Sequence, residues 1–354
     1  MHDHHSPIDE ATRSKRQAFY DRLKPHGMAP LWEVMKGMLP PEPTSKATAH
    51  RWRYEDIRPL LIESGHLLTA AEAERRVLVL ENPAFPGQSR ATSTLYAGIQ
   101  VIMPGEAAPA HRHTPSALRF MLEGEGAYTA VGGERTTMRY GDFVITPSWA
   151  YHDHANEGTE PAAWLDGLDV PMIAFFEAVF REDYNDVQQE ITRPEGDALA
   201  RFGSGLLPFN AGSRYGLTTP IFNYPYERTR EALYRASRGE EIDPHLGTTL
   251  RYANPLDGGW TMPTMSAWMT YIPKGLETAR IRSTDGIVMC IAEGSGTITI
   301  GDKQMSFSKK DVIAVPGWSW RSFKPAEDCV VFCFSDRVAQ EKLGYFREER
   351  QRPV

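Results

Sequence analysis

Short apolar runs alternate with polar turns between residues 93 and 171, which is the pattern of consecutive β-strands. Apolar stretches over residues 95–103, 127–131 and 162–168 each predict a strand. Gly132-Gly133 separates two strand-like segments and predicts a tight hairpin turn. We expect these strands to close into a β-barrel or a β-sandwich.

A second stretch of the same kind occupies residues 263–340 and repeats parts of the first. Ala292-Glu293-Gly294-Ser295-Gly296 is similar to Leu122-Glu123-Gly124-Glu125-Gly126, and Val315-Pro316-Gly317-Trp318 is similar to Thr146-Pro147-Ser148-Trp149. Self-similarity over this distance is typical of two copies of one structural unit. The sequence therefore predicts an all-β core made of two barrels of jelly-roll type.

The segments outside the two barrels have helical patterns. Amphipathic residues 9–23 and 57–62 predict helices in a long N-terminal arm, and residues 77–80 predict a short strand that follows them. Between the barrels, residues 175–180 and 227–238 predict helices within a largely irregular connector. The chain is thus expected to have a helical arm and a helical linker around its β core.

Two histidine motifs lie within the first predicted barrel. The first runs from Gly105 as G-x5-H-x-H and contains His111 and His113, and the second is G-x5-P-x-W-x2-H-x3-N and contains His152. Alternate side chains of a strand share one face, so the first two histidines point the same way and a returning strand can place the third beside them. Three imidazoles on one side of a divalent metal leave its other side open, as an oxygen-activating Fe(II) site requires.

Other polar residues of the first predicted barrel are candidates for the same site. Arg119 has the same strand parity and can offer a planar, two-pronged donor to a substrate carboxylate. His154 shares a face with the third histidine and is either a proton relay or an ordinary hydrogen-bonded histidine. Asp166 is a candidate acceptor that orients a ligand or the substrate, and Tyr96 and Gln100 alternate on a strand that leads into the pocket.

The second barrel lacks this histidine set. When the Met103-Pro104 and Ile272-Pro273 pairs are aligned, the three histidine positions fall opposite Arg280, Arg282 and Arg321. Arginine stays protonated in proteins and has no lone pair for a metal. We therefore predict an N-terminal arm (1–92), a metal-binding barrel (93–171), a connector (172–262), a second, metal-free barrel (263–340) and a C-terminal tail (341–354).

Composition narrows the class of protein. The chain has 354 residues, of which 41% are hydrophobic and 24% are charged, as in soluble globular proteins. The net charge of −7 argues against a nucleic-acid or membrane surface as a partner. No apolar run forms a signal peptide or spans a bilayer, and the odd cysteine count (Cys290, Cys329, Cys333) indicates a reducing compartment. These features predict a cytoplasmic protein.

The His111–Phe120 stretch, Glu123-Gly124, the repeated barrel and the long arm together resemble the gentisate 1,2-dioxygenases, a bicupin family. The resemblance implies a non-haem Fe(II) enzyme with one metal per subunit in the N-terminal cupin barrel. It implies cleavage of a small aromatic hydroxy acid by O₂ between the carboxyl- and hydroxyl-bearing carbons, which converts gentisate into maleylpyruvate. It also implies a homotetramer, and a substrate-binding role for Arg75 in the arm.

Several alternatives remain open at this level. The bicupin family also includes salicylate and 1-hydroxy-2-naphthoate 1,2-dioxygenases, and the usual cupin glutamate is missing here because Ala117 and Leu118 stand in its place. A different cupin enzyme, such as an isomerase or a Mn(II)- or Ni(II)-dependent oxygenase, uses similar ligands. A metal-binding bicupin without catalysis is the alternative from another class.

Overall fold

The computed structural model describes residues 9–209, 216–239 and 242–352. Its α-helices are α1 (Glu10–Leu23), α2 (Leu31–Met38), α3 (Tyr54–Leu67), α4 (Ala70–Ala73), α5 (Val170–Phe175), α6 (Asp197–Phe202), α7 (Tyr226–Gly239) and α8 (Arg337–Leu343), and a 3₁₀ helix covers Lys24–His26. None of the helices in these ranges is both long and apolar enough to cross a membrane.

The strands of the first half are β1 (His50–Trp52), β2 (Val77–Val79), β3 (Tyr96–Ile102), β4 (Ala107–His113), β5 (Ala117–Glu123), β6 (Ala127–Val131), β7 (Glu134–Thr137), β8 (Phe143–Thr146), β9 (His152–Asn156), β10 (Ala162–Leu168), β11 (Arg181–Asp183) and β12 (Asn223–Tyr224). Those of the second half are β13 (Thr248–Arg251), β14 (Ser266–Ile272), β15 (Ile281–Ser283), β16 (Ile287–Glu293), β17 (Gly296–Ile300), β18 (Lys303–Phe307), β19 (Val312–Val315), β20 (Arg321–Pro325), β21 (Cys329–Ser335) and β22 (Glu348–Arg350).

The chain divides into two compact units, and the first ends at Thr44. Its described part contains α1, the 3₁₀ helix and α2. Asp9 caps α1 by accepting a hydrogen bond from the backbone N–H of Thr12 at 2.7 Å, so the predicted helix over residues 9–23 is confirmed. Within this unit Trp32 Nε1 donates to the Tyr20 hydroxyl at 3.0 Å, which ties α2 to α1.

The second unit contains both barrels. The first barrel has a six-stranded sheet in the order β12-β8-β5-β10-β3-β2 and a five-stranded sheet in the order β11-β4-β9-β6-β7, and all its strand pairs are antiparallel. The predicted strand over residues 162–168 matches β10. Gly132 and Gly133 have φ values of +54° and +84° and join β6 to β7, which confirms the predicted hairpin turn.

The second barrel repeats this arrangement with a six-stranded sheet, β1-β19-β16-β21-β14-β13, and a five-stranded sheet, β18-β17-β20-β15-β22. The barrels share one apolar core, in which the rings of Phe120 and Phe332 stack with centroids 4.4 Å apart. Aromatic stacking and burial of apolar area hold the two barrels together. The predicted fold, an all-β bicupin core with helical additions, is confirmed.

Part of the predicted arm is built into the barrels. Strand β1 pairs with β19 of the second barrel, and β2 pairs with β3 of the first. Helix α3 lies between β1 and β2 in the sequence, and it buries Leu61 in the shared core. The segment from residue 45 to residue 92 therefore extends both six-stranded sheets, because their edge strands offer unpaired backbone groups.

The connector agrees with the sequence in one helix and differs in another. Helix α7 covers the predicted 227–238 segment, which is confirmed. The predicted helix over 175–180 is wrong, because α5 ends at Phe175 and the chain then turns toward β4. There the backbone N–H of Thr114 donates to the carbonyl of Phe180 at 3.1 Å, and β11 continues the pairing. The sheet edge overrides the local helical preference.

Candidate active site

Strands β4 and β9 bring the three predicted ligand histidines together. His111 and His113 alternate on β4, and the register of the sheet places His111 directly opposite His152 on β9. Their candidate ligand atoms all lie within 4.8 Å of one another. The ring centroids of His111 and His152 are 4.6 Å apart, and those of His113 and His152 are 4.8 Å apart. This spacing suits three imidazoles around one ion.

Hydrogen bonds orient two of the three rings. Nδ1 of His113 lies 2.7 Å from the carbonyl of Pro115, and Nδ1 of His152 lies 3.0 Å from that of Ala150. A carbonyl only accepts, so each Nδ1 carries the proton and each Nε2 keeps its lone pair free. This is the arrangement of a metal-ligating histidine.

Burial keeps these rings neutral. It lowers the pKa of His113 to about 4 and that of His152 well below the usual value, while burial and the nearby charge of Arg75 lower the pKa of His111 to about 3. Neutral imidazole is the form that binds metals, so the donor set fits a divalent ion at neutral pH.

Arg75 makes a direct contact with the third ring. Its Nη2 donates to the carbonyl of Pro109 at 2.8 Å and lies 3.1 Å from Nδ1 of His111. Because a guanidinium only donates, Nδ1 accepts in this arrangement and the ring proton is on Nε2. The Arg75 guanidinium is thus held beside the histidine cluster, in the wall of the cavity.

A cavity of about 420 Å³ opens beside the histidines. Its walls mix a few charged and polar groups with apolar side chains, as in small-molecule sites. The lining residues are Arg75, Val77, Tyr96, Gln100, His111, His113, Pro115, Ala117, Arg119, His152, Asp166, Leu168, Val170, Val179, Phe180 and Arg181. Larger grooves of about 900 and 720 Å³ occur elsewhere, but none of the described residues that line them is a histidine. The smaller cavity is therefore the candidate site, because it contains the potential metal ligands.

Arg119 and Asp166 form a buried charged pair in the wall of this cavity. They face each other across β5 and β10, with Arg119 Nε 3.6 Å from a carboxylate oxygen of Asp166. The Arg119 Nη1 donates to the hydroxyl of Thr146 at 2.6 Å, while its buried Nε finds no hydrogen-bond partner in the described part of the chain. An unsatisfied buried donor of a cation is costly unless a ligand completes it. The Nε of Arg119 is therefore a donor that lacks an acceptor in the wall of the cavity, among the residues that the structure describes.

Asp166 is held in place by Trp164, whose Nε1 donates to it at 3.0 Å. Burial raises the pKa of the Asp166 carboxyl to about 6, and the opposing charge of Arg119 limits that rise. A carboxyl that titrates near neutral pH inside a cavity can accept a proton during a reaction.

Of the other predicted residues, two line the cavity and one lies beyond its lining. Tyr96 and Gln100 both line the cavity from β3, with Gly98 between them on the strand. His154 is fully buried beyond the cavity lining; its Nδ1 lies 2.8 Å from the Thr129 hydroxyl, and among the described residues its Nε2 has no hydrogen-bond partner. A proton-relay role for His154 stays a prediction.

Comparisons with known proteins agree with this geometry. Residues 98–169 match the family model described as "Cupin domain". Gentisate 1,2 dioxygenase 1 of Aquipseudomonas alcaligenes is 50% identical over 340 residues, which cover 96% of this chain and 98% of that protein. The gentisate 1,2-dioxygenase of a Streptomyces species is 35% identical, with 97% of each chain covered. The chain belongs to the gentisate 1,2-dioxygenase family.

A solved structure extends the family relationship to the whole fold. The salicylate 1,2-dioxygenase of Pseudoaminobacter salicylatoxidans, determined as an adduct with gentisate, superposes with a TM-score of 0.91 at 31% identity. The match covers all of this chain and 98% of that one. The predicted resemblance to this dioxygenase family is thus confirmed.

The strand pairing of the two barrels gives a different residue correspondence from the alignment of Met103-Pro104 with Ile272-Pro273. Ile281 pairs with Arg321, whereas His111 pairs with His152, so Ile281 takes the position of His111. Arg280 donates to the carbonyl of Gly301 at 3.1 Å, and Arg282 forms an ion pair with Glu349 at 2.7 Å. The predicted equivalence of Arg280 and Arg282 with the histidines is wrong; that of Arg321 agrees with the structure.

Turn glycines carry the signal for the correct register. Gly105 and Gly275 have φ values of +76° and +89°, and each lies six residues before the inward-facing position of its strand. A turn position with positive φ favours glycine strongly, whereas proline occurs at several positions of a turn. The two glycines therefore identify equivalent turn positions better than the prolines do. Isoleucine and arginine side chains offer no metal-binding lone pair, so the second barrel still lacks a histidine set.

Sequence reasoning missed the apolar part of the cavity wall. Val77 comes from the arm, and Val179 and Phe180 come from the segment between α5 and β11. These residues are distant in sequence from the histidines and belong to no motif. Only the pairing of β2 with β3 and of β11 with β4 brings them to the cavity.

Proposed function

We propose that this protein cleaves gentisate with O₂ between the carboxyl-bearing and the adjacent hydroxyl-bearing carbon, giving maleylpyruvate. The observation that carries the proposal is the cluster of three neutral histidines beside a cavity lined by the buried guanidinium of Arg119. The relative with 50% identity, named for gentisate, favours this substrate within the family.

Iron(II) is the metal that we propose for the histidine cluster, with one ion per chain. His111, His113 and His152 would hold it, and no carboxylate among the described residues joins their cluster, since Ala117 and Leu118 stand where cupins often carry one. When bound, Fe(II) supplies the one-electron chemistry that allows O₂ to react with an aromatic ring.

The protein binds and orients the substrate through its arginines. Arg119 donates to the carboxylate through its planar fork, and Arg75 adds a second cation that remains charged at neutral pH, although burial lowers its pKa to about 10. The apolar residues Val77, Leu168 and Phe180 pack around the ring and exclude water. Tyr96 and Gln100 contact the ring hydroxyl groups.

Asp166 accepts the proton that the substrate hydroxyl releases. His154, whose Nδ1 lies 2.8 Å from the Thr129 hydroxyl, is the candidate for a later proton transfer. Holding carboxylate, hydroxyl and acceptor in one geometry converts a bimolecular reaction into an effectively unimolecular one. Both atoms of O₂ enter the product, and the bond between the two substituted ring carbons breaks.

The role of Asp166 predicts an acid limb in the pH dependence. Because its pKa is raised to about 6, the carboxylate form is lost as pH falls, so kcat/KM should fall about tenfold from pH 7 to pH 5. In Asp166→Asn, kcat/KM should be low and flat over this range. An unchanged acid limb in Asp166→Asn, measured by oxygen uptake across pH, would assign it to another group.

Oxygen uptake with a panel of hydroxybenzoates, together with metal analysis, tests the proposal. We expect about one iron per chain, with kcat/KM highest for gentisate. Salicylate is the second candidate substrate, favoured by the structural match to a salicylate 1,2-dioxygenase. Bound metal without oxygen uptake on any substrate would instead support a non-catalytic bicupin.

We further propose a cytoplasmic homotetramer. Helix α2 exposes Leu31, Trp32 and Met35 in its own unit, and such apolar faces favour association between copies. The three cysteines are free and buried, as suits a reducing compartment. Light scattering of the purified protein should give the mass of about four chains.

A further inference from the structure

Glu74 has an unusual backbone conformation directly before the substrate-binding arginine. Its φ is +51° with ψ of −52°, in the region that residues with a side chain rarely adopt. Helix α4 ends at Ala73, and the turn at Glu74 directs Arg75 toward Pro109 and His111 in the cavity. Strain of this kind persists only where surrounding contacts hold it in place.

A single ion pair provides such a contact. The Glu74 carboxylate accepts from Arg181 Nη1 at 2.7 Å, and Arg181 Nη2 also donates to Asp183 at 2.8 Å. Arg181 opens β11, where it lies opposite His113 of β4. The pair therefore joins the segment that carries Arg75 to the segment of Val179 and Phe180, both of which line the cavity.

We propose that the Glu74–Arg181 ion pair is a latch at the cavity that holds Arg75 in its substrate-binding position. Glu74 and Arg181 are then positioning residues for recognition of the substrate anion, and this assignment rests on the proposed function of Arg75. Without the pair, the Glu74 backbone loses a contact that supports its positive φ, and the guanidinium of Arg75 is directed less firmly into the cavity.

The latch affects ligand binding and leaves global stability nearly unchanged. The side chains of Arg181 and Glu74 are 50% and 55% exposed, and ion pairs at that exposure contribute little to folding. Their effect is local, since a misdirected arginine loses its two-pronged contact with a carboxylate. The two roles are separated by measuring anion affinity and thermal stability on the same protein.

A double-mutant cycle with Arg75 tests the latch. The measurement is the Kd of gentisate for the iron-loaded protein under argon, where binding occurs without turnover. Arg181→Ala and Glu74→Gln should each weaken binding about fivefold, and Arg181→Lys, which keeps one ion pair, should stay within about twofold of wild type. In an Arg75→Ala background, Arg181→Ala should have no further effect.

A matched control removes another exposed ion pair, which lies away from the cavity. Glu277 pairs with Lys324 at 3.0 Å in the second barrel, so Glu277→Gln should leave the Kd unchanged. Iron content and Tm should be the same in all variants. Effects of Arg75→Ala and Arg181→Ala that simply add would show that Arg181 contacts the anion itself, and would overturn the latch.

Two further outcomes are also decisive. A wild-type Kd in Arg181→Ala and Glu74→Gln, with gentisate bound normally by the wild type, overturns the latch alone. A wild-type protein that binds no gentisate under argon overturns the proposed function and the latch together.

Discussion

A His111→Ala protein is expected to lose its metal and its ring-cleaving activity together. His111 is one of three neutral ligand side chains, and the described residues place no carboxylate in the cluster to compensate for its loss. Loss of a residue that merely supports a metal ligand already costs about 10- to 100-fold in affinity or activity, so loss of a ligand should cost more than about 100-fold. Iron analysis and oxygen uptake on one preparation measure both effects.

His245→Ala is the matched control, because it removes another buried imidazole. His245 lies 2.7 Å from the carbonyl of Gln351 through Nε2 and is not part of the cluster. This variant should keep its iron and its turnover. Full iron content and normal turnover in His111→Ala would contradict the assignment of the metal site.

Arg119→Lys should reduce kcat/KM strongly although the charge is kept. The guanidinium of Arg119 is buried, with its Nη1 bonded to Thr146 and its Nε without a hydrogen-bond acceptor among the described residues. A lysine ammonium is a point donor and cannot reproduce the planar fork. Breaking a buried charge-assisted pair costs about 2–5 kcal/mol, which is roughly one to four orders of magnitude in kcat/KM. Steady-state oxygen uptake with gentisate measures this loss.

Metal content decides what the Arg119→Lys result means. Normal iron with a depressed kcat/KM supports carboxylate binding by Arg119. Loss of iron would mean that Arg119 supports the metal ligands, and wild-type kcat/KM would mean that it does not bind substrate. Arg321→Lys replaces a buried arginine of the second barrel and should leave the KM for gentisate unchanged.

The parts of the site that follow strand periodicity could be predicted from the sequence. His111, His113 and Arg119 share a face because alternate residues of paired strands do, and all three line one cavity in the structure. The same periodicity, applied to β3, placed Tyr96 and Gln100 there. Strand periodicity predicts which face a side chain lies on, but not how far it lies from the cavity. It therefore does not separate His152, which lines the cavity, from His154, which lies beyond the lining.

Features that depend on pairing between distant segments could not be predicted. Arg181 and Phe180 reach the cavity because β11 adds to the edge of β4, although residues 175–180 have a helical pattern. The arm strand β1 pairs with β19, more than two hundred residues away. In each case an open sheet edge decides the structure, and local propensity does not encode which segment fills it.

The central claim is that the chain adds both atoms of O₂ to gentisate and opens its ring. The most direct test is a single incubation of the iron-loaded protein with gentisate and ¹⁸O₂, followed by mass spectrometry of the product. We predict maleylpyruvate that contains two labelled oxygen atoms, with one O₂ consumed per gentisate. A product with an intact ring, or with one labelled oxygen from a hydroxylation, would contradict the account.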